Sequence, residues 1–257
     1  MPSRDATAAV SCVVIAGGSP AEVGETLGGL AAQTLAVRDS LVVRPAGHPS
    51  AGTIENAVRE VSSAGGRAAA MAQGIEQSAP AEWLWLLEPG TVPASDALER
   101  LLNPLEGLPP PVLLAGKVVD ANGDLHPTSA PAPRAADQGL MIRAARHRLV
   151  ALRSARYGSL LVRRAAVTAA GPPRERRFGE EGDVEWTARL LKAGVGYLVP
   201  GSVAVRRAPG GLAGSRPLRE RLAMMGPDAW TRDERLWLGI GLATDLAGRA
   251  RRLSPTD

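Results

Sequence analysis

The chain has 257 residues, enough for one α/β domain of ordinary size, and with only 3% aromatic residues its core must be built mainly from small aliphatic side chains. Thirty Lys and Arg against 26 Asp and Glu give a net charge of only +4, which argues against a general nucleic-acid-binding surface. A single cysteine, Cys12, excludes an internal disulfide and makes a reducing compartment the expectation. No stretch approaches the ~20 apolar residues of a membrane span, and the N-terminal residues lack the apolar region of a signal peptide, so we expect a cytoplasmic protein.

Strand and helix patterns alternate over the first part of the chain. The predicted elements are a strand at 10–16, a helix at 21–33, a strand at 40–43, helices at 51–62 and 68–78, and a strand at 83–87. The strands are short apolar runs, whereas the helices repeat their apolar residues every three or four positions. This alternation predicts an α/β fold, in which helices cover both faces of a mixed, mainly parallel sheet.

Residues 81–102 form the clearest single unit. Five apolar residues, Trp83 to Leu87, end at a Pro-Gly pair and predict a buried strand followed by a sharp turn. Ser95 is the predicted N-cap of the helix that follows. Because open α/β sheets bind ligands outside the carboxyl ends of their strands, we expect any functional site to lie near residues 88–91.

The second half of the chain is less regular. We expect a strand at 112–119, a turn at 120–124, an exposed loop at 126–139, strands at 157–162, 197–199 and 203–205, and a helix at 164–170. A further helix is capped near Asp183 and ends at Gly194. The Arg-rich segment 142–156 is either a solvated face or a surface for an acidic partner, namely a phosphate-bearing substrate or an anionic membrane.

We divide the chain into a domain at residues 1–208 and a tail at 209–257. The tail begins with a linker rich in Gly, Pro and Ser, and continues with a loose apolar face at helical spacing that ends in several arginines. Such an amphipathic C-terminal helix docks on its own domain, binds a partner, or lies on a membrane surface.

Three stretches, in this order, carry a family resemblance. They are VSCVVIAGGSPAEVGETLGGLAAQTLAVRDSLVV, AEWLWLLEPGTVPASDALERLL, and the region from YGSLLVRRAAV to GDVEWTARLLKAGVGYLVPGSVAVRR. The first resembles the opening β-α-β unit of the family 2 glycosyltransferases of GT-A fold. The second resembles the strand that ends in their Asp-rich metal motif, and the third their acceptor side. The sequences of these stretches are most similar to the actinobacterial galactofuranosyl- and rhamnosyl-transferase-like branch, which assembles cell-wall polysaccharide.

The polar positions on the nucleotide and metal side depart from the family pattern. Arg44 stands where members have an Asp that binds the nucleotide base, and Met71 and Ala72 replace an Arg-Asn pair. Glu88 is the only carboxylate left at the Asp-rich motif, which here reads Glu-Pro-Gly, and Arg206 replaces a His. Two fixed carboxylates usually help hold Mg²⁺ or Mn²⁺, so a metal-dependent mechanism of the usual kind is not expected.

On the acceptor side, the resemblance implies a catalytic acidic pair. The first acid is replaced by Gly182, and the second is retained as Asp183, followed by Glu185 and Trp186 on the same predicted helix. Asp183 would take the proton of an acceptor hydroxyl, with Glu185 and Trp186 beside the acceptor. The alternative for Asp183 is a helix cap without a chemical role.

The resemblance also implies a nucleotide-diphosphate sugar as donor. Arg206, and after it Arg44, are the candidates to neutralise the diphosphate, because guanidinium groups can bind phosphate bidentately without a metal. Glu88 is the third donor-side candidate. The alternatives are that both arginines are surface residues and that Glu88 is a solvated turn residue.

Two functions therefore stay open. The first is inverting transfer of a sugar to a cell-wall or lipid-linked glycan by a cytoplasmic enzyme, with or without peripheral contact with the inner face of the membrane. The second is a catalytically inactive GT-A domain that binds or scaffolds a protein partner.

Overall fold

The structure is a computed structural model that describes residues 10–48, 58–103, 107–126, 132–133, 137–174 and 182–207. Its strands are β1 (Val10–Ile15), β2 (Asp39–Arg44), β3 (Arg59–Ser62), β4 (Trp83–Leu87), β5 (Thr91–Pro93), β6 (Pro111–Val119), β7 (Ala132–Pro133), β8 (Val150–Ser154), β9 (Ser159–Arg163) and β10 (Val195–Arg206). Its helices are α1 (Pro20–Ala31), α2 (Arg67–Gln77), α3 (Ala97–Leu102), α4 (Gln138–Arg146), α5 (Arg164–Ala170) and α6 (Gly182–Leu190). The predicted tail helix lies outside the described residues.

One sheet organises these elements. Its strands follow the order β3-β2-β1-β4-β9-β6-β10-β8-β7, and β5 pairs with β10 off this path. The first four strands of the path are mutually parallel. β6 and β10 are also parallel to each other, while β9 is inserted antiparallel between β4 and β6. The carboxyl ends of β1, β2, β4 and β10 therefore lie at the same edge of the sheet.

Helices cover both faces of the sheet. Side chains alternate across β1, so that Val13 and Ile15 join the cluster under α2 while Cys12 and Val14 join the cluster under α1. All six residues of β1 are buried, which explains why its sequence is an apolar run rather than an alternating pattern. The α1 helix begins with a capping box, in which Ser19 and Glu22 satisfy each other's backbone N–H groups.

The predicted helix at 51–62 is wrong over its last four residues. Arg59–Ser62 forms the edge strand β3, in parallel register with the last four residues of β2. Pairing with an existing strand overrides the local helical spacing of this short, partly exposed segment. Residues 51–57 lie outside the described part of the chain.

Ser95 is not the N-cap of α3. The helix begins at Ala97 with Asp96 in the cap position, and the Asp96 carboxylate pairs with Arg100 instead of capping the helix. The backbone carbonyl of Ser95 accepts a hydrogen bond from the N–H of Thr34. A contact with the end of α1 therefore fixes this loop.

The last helix and strands also differ from the prediction. α6 ends at Leu190, and the two short strands predicted near 197 and 203 are one strand, β10, with a register shift between Val199 and Val203. Position 194 must be a glycine, because a Cβ atom there would lie 2.6 Å from Val112 Cγ1.

The turn at 120–124 is confirmed, but His126, predicted to be exposed, is buried.

Among the described helices, none combines the length and apolar character required to cross a bilayer.

Candidate functional site

A cleft of about 560 Å³ opens at the carboxyl ends of β1, β2 and β4. Its walls come from the loops after β1 and β2, from the first turn of α2, from the turn after β4, and from the end of β10. The side chains that matter for its chemistry are Arg67, Glu88 and Arg206, with Glu22 and His48 also lining the cleft. The volume is within the ordinary range for a small-molecule site.

Three charged side chains form an ion cluster at this cleft, which we call the Glu88 cluster: Glu88, Arg67 and Arg206. Arg67 Nη2 donates to Glu88 Oε1 at 2.9 Å, and Arg206 Nη1 donates to Glu88 Oε2. The side chains of Glu88 and Arg206 are 12% and 15% exposed, and that of Arg67 is 41% exposed. Each carboxylate oxygen is thus held by a guanidinium group, and the cluster keeps one excess positive charge.

The backbone places Glu88 rigidly in this cluster. Its N–H donates to Gly158 O at 3.1 Å, and its carbonyl accepts from Thr91 N at 3.0 Å. Gly90 closes the turn with φ of +76°, a conformation that favours glycine. Arg206 reaches Glu88 because it pairs in register with Thr91 across β10 and β5.

Tyr157 forms the support beneath Arg67. Its hydroxyl donates to Leu87 O at 2.5 Å and accepts from Ile15 N at 3.2 Å, so it ties together the ends of β4 and β1. The guanidinium carbon of Arg67 lies 5.0 Å from the centre of its ring, within cation–π range. Burial raises the pKa of Tyr157, so the ring stays a neutral phenol.

Removing the Tyr157 hydroxyl should weaken the connection between the ends of β1 and β4. Tyr157→Phe leaves the buried Ile15 N–H and Leu87 carbonyl without this partner, at a cost of about 1–3 kcal/mol. Urea denaturation should show this loss, while the ring still supports Arg67. A variant as stable as the wild type would contradict the bridging role of the hydroxyl.

The pKa of Arg67 is set by the groups that surround it. Burial opposes its charged form, but the carboxylates of Glu88 and Asp183 outweigh burial, and the net effect raises the pKa of Arg67. Arg67 therefore remains a cation beside the carboxylates of Glu88 and Asp183.

Asp183 lies in the first turn of α6 and is half-buried. Its Oδ2 accepts from Tyr157 N at 2.8 Å, and its Oδ1 accepts from Val184 N at 2.7 Å. The carboxylate thus joins the start of α6 to the residue whose ring supports Arg67. The structure brings Asp183 to the neighbourhood of the Glu88 cluster, although it does not line the cleft itself.

Glu185 and Trp186 face the protein interior rather than the cleft. Glu185 is 1% exposed and forms an ion pair of 2.7 Å with Arg189, one turn along α6. Trp186 is fully buried, and its indole N–H donates to Gly171 O at 2.9 Å. Both side chains pack α6 against the end of α5, which leaves no surface on them for an acceptor in this conformation.

Arg44 is also held away from the cleft. Its guanidinium donates to Ser62 Oγ and lies 3.5 Å from the Glu60 carboxylate, so it ties β2 to β3. The loop residues that follow it, Pro45 to His48, supply the cleft wall instead. Contact between Arg44 and a diphosphate stays a prediction.

The residues at this site do not fit a divalent cation. Both oxygens of Glu88 are engaged by guanidinium groups, whereas Mg²⁺ and Mn²⁺ require several free oxygen ligands. Within the ranges that the structure describes, no group of three or more His, Cys, Asp or Glu residues could hold a metal ion.

Arg67 is the site residue that sequence reasoning missed. The predicted helix at 68–78 begins one residue too late, because Gly66 occupies the N-cap position and Arg67 is the first residue of α2. A cation at the start of a helix after a glycine pair was the one local signal. Its partners, Glu88 and Tyr157, are remote in sequence and could not be inferred from it.

Known structures share this architecture. No family model and no curated protein matches the sequence. GalNAc-T7, solved with UDP, GalNAc and Mn²⁺, superposes with a TM-score of 0.63 at 12% identity, over 88% of this chain and 49% of that one. The mannosyltransferase PcManGT from Pyrobaculum calidifontis, in complex with GDP-Man and Mn²⁺, gives 0.56 at 14% identity, over 96% and 76%. TarS from S. aureus gives 0.55 at 13% identity, over 78% and 61%.

This chain has a GT-A fold. The predicted α/β architecture, with helices on both faces of a mixed, mainly parallel sheet, is confirmed. This GT-A chain spans about half the length of GalNAc-T7 and about three fifths of that of TarS. At identities of 12–14% the likeness establishes the fold, and the family 2 branch stays a prediction.

Proposed function

We propose that this GT-A protein binds a nucleotide-diphosphate sugar in the cleft and transfers the sugar, with inversion, to a cell-wall or lipid-linked glycan. The observation that carries the proposal is the position of the Glu88 cluster. It places two guanidinium groups at the carboxyl end of β4, in a cleft of about 560 Å³. Ligands of open α/β sheets bind at this edge, and guanidinium groups suit phosphate oxygens.

The proposed reaction has two halves. Asp183 accepts the proton of an acceptor hydroxyl as its oxygen forms a bond to the anomeric carbon. The bond between that carbon and the diphosphate oxygen breaks on the opposite side, and the electron pair leaves with the nucleotide diphosphate. The guanidinium groups of Arg67 and Arg206 stabilise the charge that develops there. Asp183 accepts from the N–H of Tyr157, whose ring lies under Arg67, and these contacts support their placement in one site.

A lipid-linked acceptor would place the protein at the inner face of the membrane. In support, α4 and the turn after it expose Arg143, Arg146 and Arg148 together with Ile142, which is 57% exposed. Basic side chains beside an exposed apolar residue suit an anionic lipid surface. We therefore propose a cytoplasmic, peripheral location.

A catalytically inactive GT-A domain that binds a partner is the second candidate. It is favoured by the hydrogen bonds of Asp183, since both carboxylate oxygens hold backbone N–H groups and need no reaction to explain them. The ion pairs of Glu88 with Arg67 and Arg206 favour the same interpretation, because they neutralise the carboxylate without a ligand.

Calorimetry with nucleotides separates the two candidates. The purified full chain is titrated with UDP, GDP and dTDP and their common sugar conjugates, with and without Mg²⁺ or Mn²⁺. We expect one nucleotide diphosphate and its sugar conjugate to bind. Absence of binding to all of them, by a protein whose thermal melt shows that it is folded, would overturn the donor site and leave the partner-binding domain.

A further inference from the structure

The Glu88 cluster contains one polar group whose bonding is incomplete. Arg206 Nε is buried and has no hydrogen-bond partner among the residues that the structure describes. Arg206 pairs with Thr91 across β10 and β5, beside the turn that carries Glu88, and its side chain lines the cleft. An unpartnered buried donor is costly, so it marks a place where a ligand oxygen would be favourable.

The charges of the cluster are also unbalanced. Two guanidinium groups face the single carboxylate of Glu88. The carboxylates of Glu22 and Asp183 lie close by and keep their charge, but their hydrogen bonds go to other donors, because Glu22 caps α1 through Ser19 and Asp183 accepts backbone N–H groups. A diphosphate carries more charge than one carboxylate and offers more acceptor oxygens to the planar forks of two arginines.

We propose that Arg67 and Arg206 form a metal-independent diphosphate clamp in which Glu88 is the internal counter-anion, displaced when the diphosphate binds. The clamp deepens the proposed function and rests on it, since it identifies how the donor is held. In the ligand-free protein, Glu88 keeps two like charges together at the end of β4. When the diphosphate binds, it replaces Glu88 as the partner of both guanidinium groups. The guanidinium groups then neutralise the diphosphate, as a bound metal ion would.

The clamp and a metal site make opposite predictions for Glu88→Gln. If the Glu88 carboxylate were a metal ligand, the amide would weaken nucleotide binding. If it is the counter-anion, the amide no longer competes for the guanidinium groups, and binding in EDTA becomes tighter. One charge-assisted hydrogen bond released to the ligand corresponds to roughly a tenfold change in Kd.

The probes are inorganic pyrophosphate and UDP, titrated into the full-length protein in EDTA. We expect both to bind the wild type, Glu88→Gln to bind about tenfold more tightly, and Arg67→Ala and Arg206→Ala each to bind about tenfold or more weakly. Arg163→Ala is the matched control. Arg163 also pairs with a glutamate, Glu82, and stacks on an aromatic ring, Trp83, but at the opposite end of β4.

The melting temperature of Glu88→Gln, measured with and without pyrophosphate, is a second test of the clamp. Glu88→Gln leaves two guanidinium groups without their counter-anion, so its melting temperature should fall and pyrophosphate should restore it more than it stabilises the wild type. If this variant does not fold, the two arginine variants still test the clamp.

Several outcomes would overturn the clamp: binding that requires Mn²⁺, weaker binding by Glu88→Gln, or an equal loss in Arg163→Ala. Different results would overturn the clamp and the proposed function. Nucleotide-sugar binding that needs Mn²⁺ would retain the donor site and overturn the clamp. Pyrophosphate binding through Arg67 and Arg206 without binding of any nucleotide sugar would retain the clamp and overturn the transferase.

Discussion

Replacing Asp183 with Asn should abolish sugar transfer while leaving the protein folded. The amide has nearly the same shape as the carboxylate but cannot accept the acceptor's proton, and losing a general base typically costs about 10²–10⁴-fold in rate. One of the two backbone N–H groups that Asp183 holds loses its acceptor, which costs about 1 kcal/mol. For a chain of this size, that corresponds to a fall of about 2–4 °C in melting temperature. Transfer rates and thermal melts measure the two effects independently.

Asp39→Asn is the matched control for this experiment. The Asp39 carboxylate also accepts a backbone hydrogen bond, from Ala79 N at 2.9 Å, and it is held by Arg59 at 3.0 Å. It lies at the start of β2, at the sheet edge opposite the cleft. We expect a comparable loss of stability with no change in transfer. Residual transfer by Asp183→Asn together with a large fall in melting temperature would show that Asp183 is structural.

Trp186→Ala should be the most destabilising substitution in α6. Trp186 is fully buried in the cluster that includes Leu190 and Val167, and truncating such a side chain typically costs about 3–5 kcal/mol. The variant also leaves Gly171 O without the indole N–H. Chemical denaturation should show the loss as a lower midpoint with an unchanged slope.

Trp186→Phe separates packing from hydrogen bonding at this position. It keeps an aromatic ring in the core but removes the N–H donor, so its destabilisation should be clearly smaller than that of Trp186→Ala. If Trp186 instead contacted the acceptor, both variants would remain stable and raise the KM for the acceptor. That result would contradict its buried position.

The strands of the sheet could be predicted because their signal is local. Trp83 to Leu87 is a continuous apolar run, and the structure forms β4 over these same residues. β1 was recognisable for the same reason, since burial on both faces requires apolar residues at successive positions. Arg59–Ser62 could not be recognised, because this segment becomes a strand only by pairing with β2.

The candidate site was predicted in part. Glu88 and Arg206 were predicted to be donor-side residues, a role that stays a prediction; both line the cleft, although their contact with each other was not foreseen. Glu185 and Trp186 were predicted beside the acceptor because they follow Asp183 in sequence. Tertiary packing decides otherwise, since Glu185 pairs with Arg189 and Trp186 donates to Gly171 O, and both side chains are buried.

The sequence by itself determined the class of fold, the order of most strands and helices, and the edge of the sheet where a site was expected. Those properties depend on hydrophobic periodicity and turn residues, which act over a few positions. Only the tertiary structure decided that Glu88 is held by Arg67 and Arg206. These ion pairs join residues that are 21 and 118 positions apart. The pairing of strands and the packing of helices set such contacts, and no local pattern encodes them.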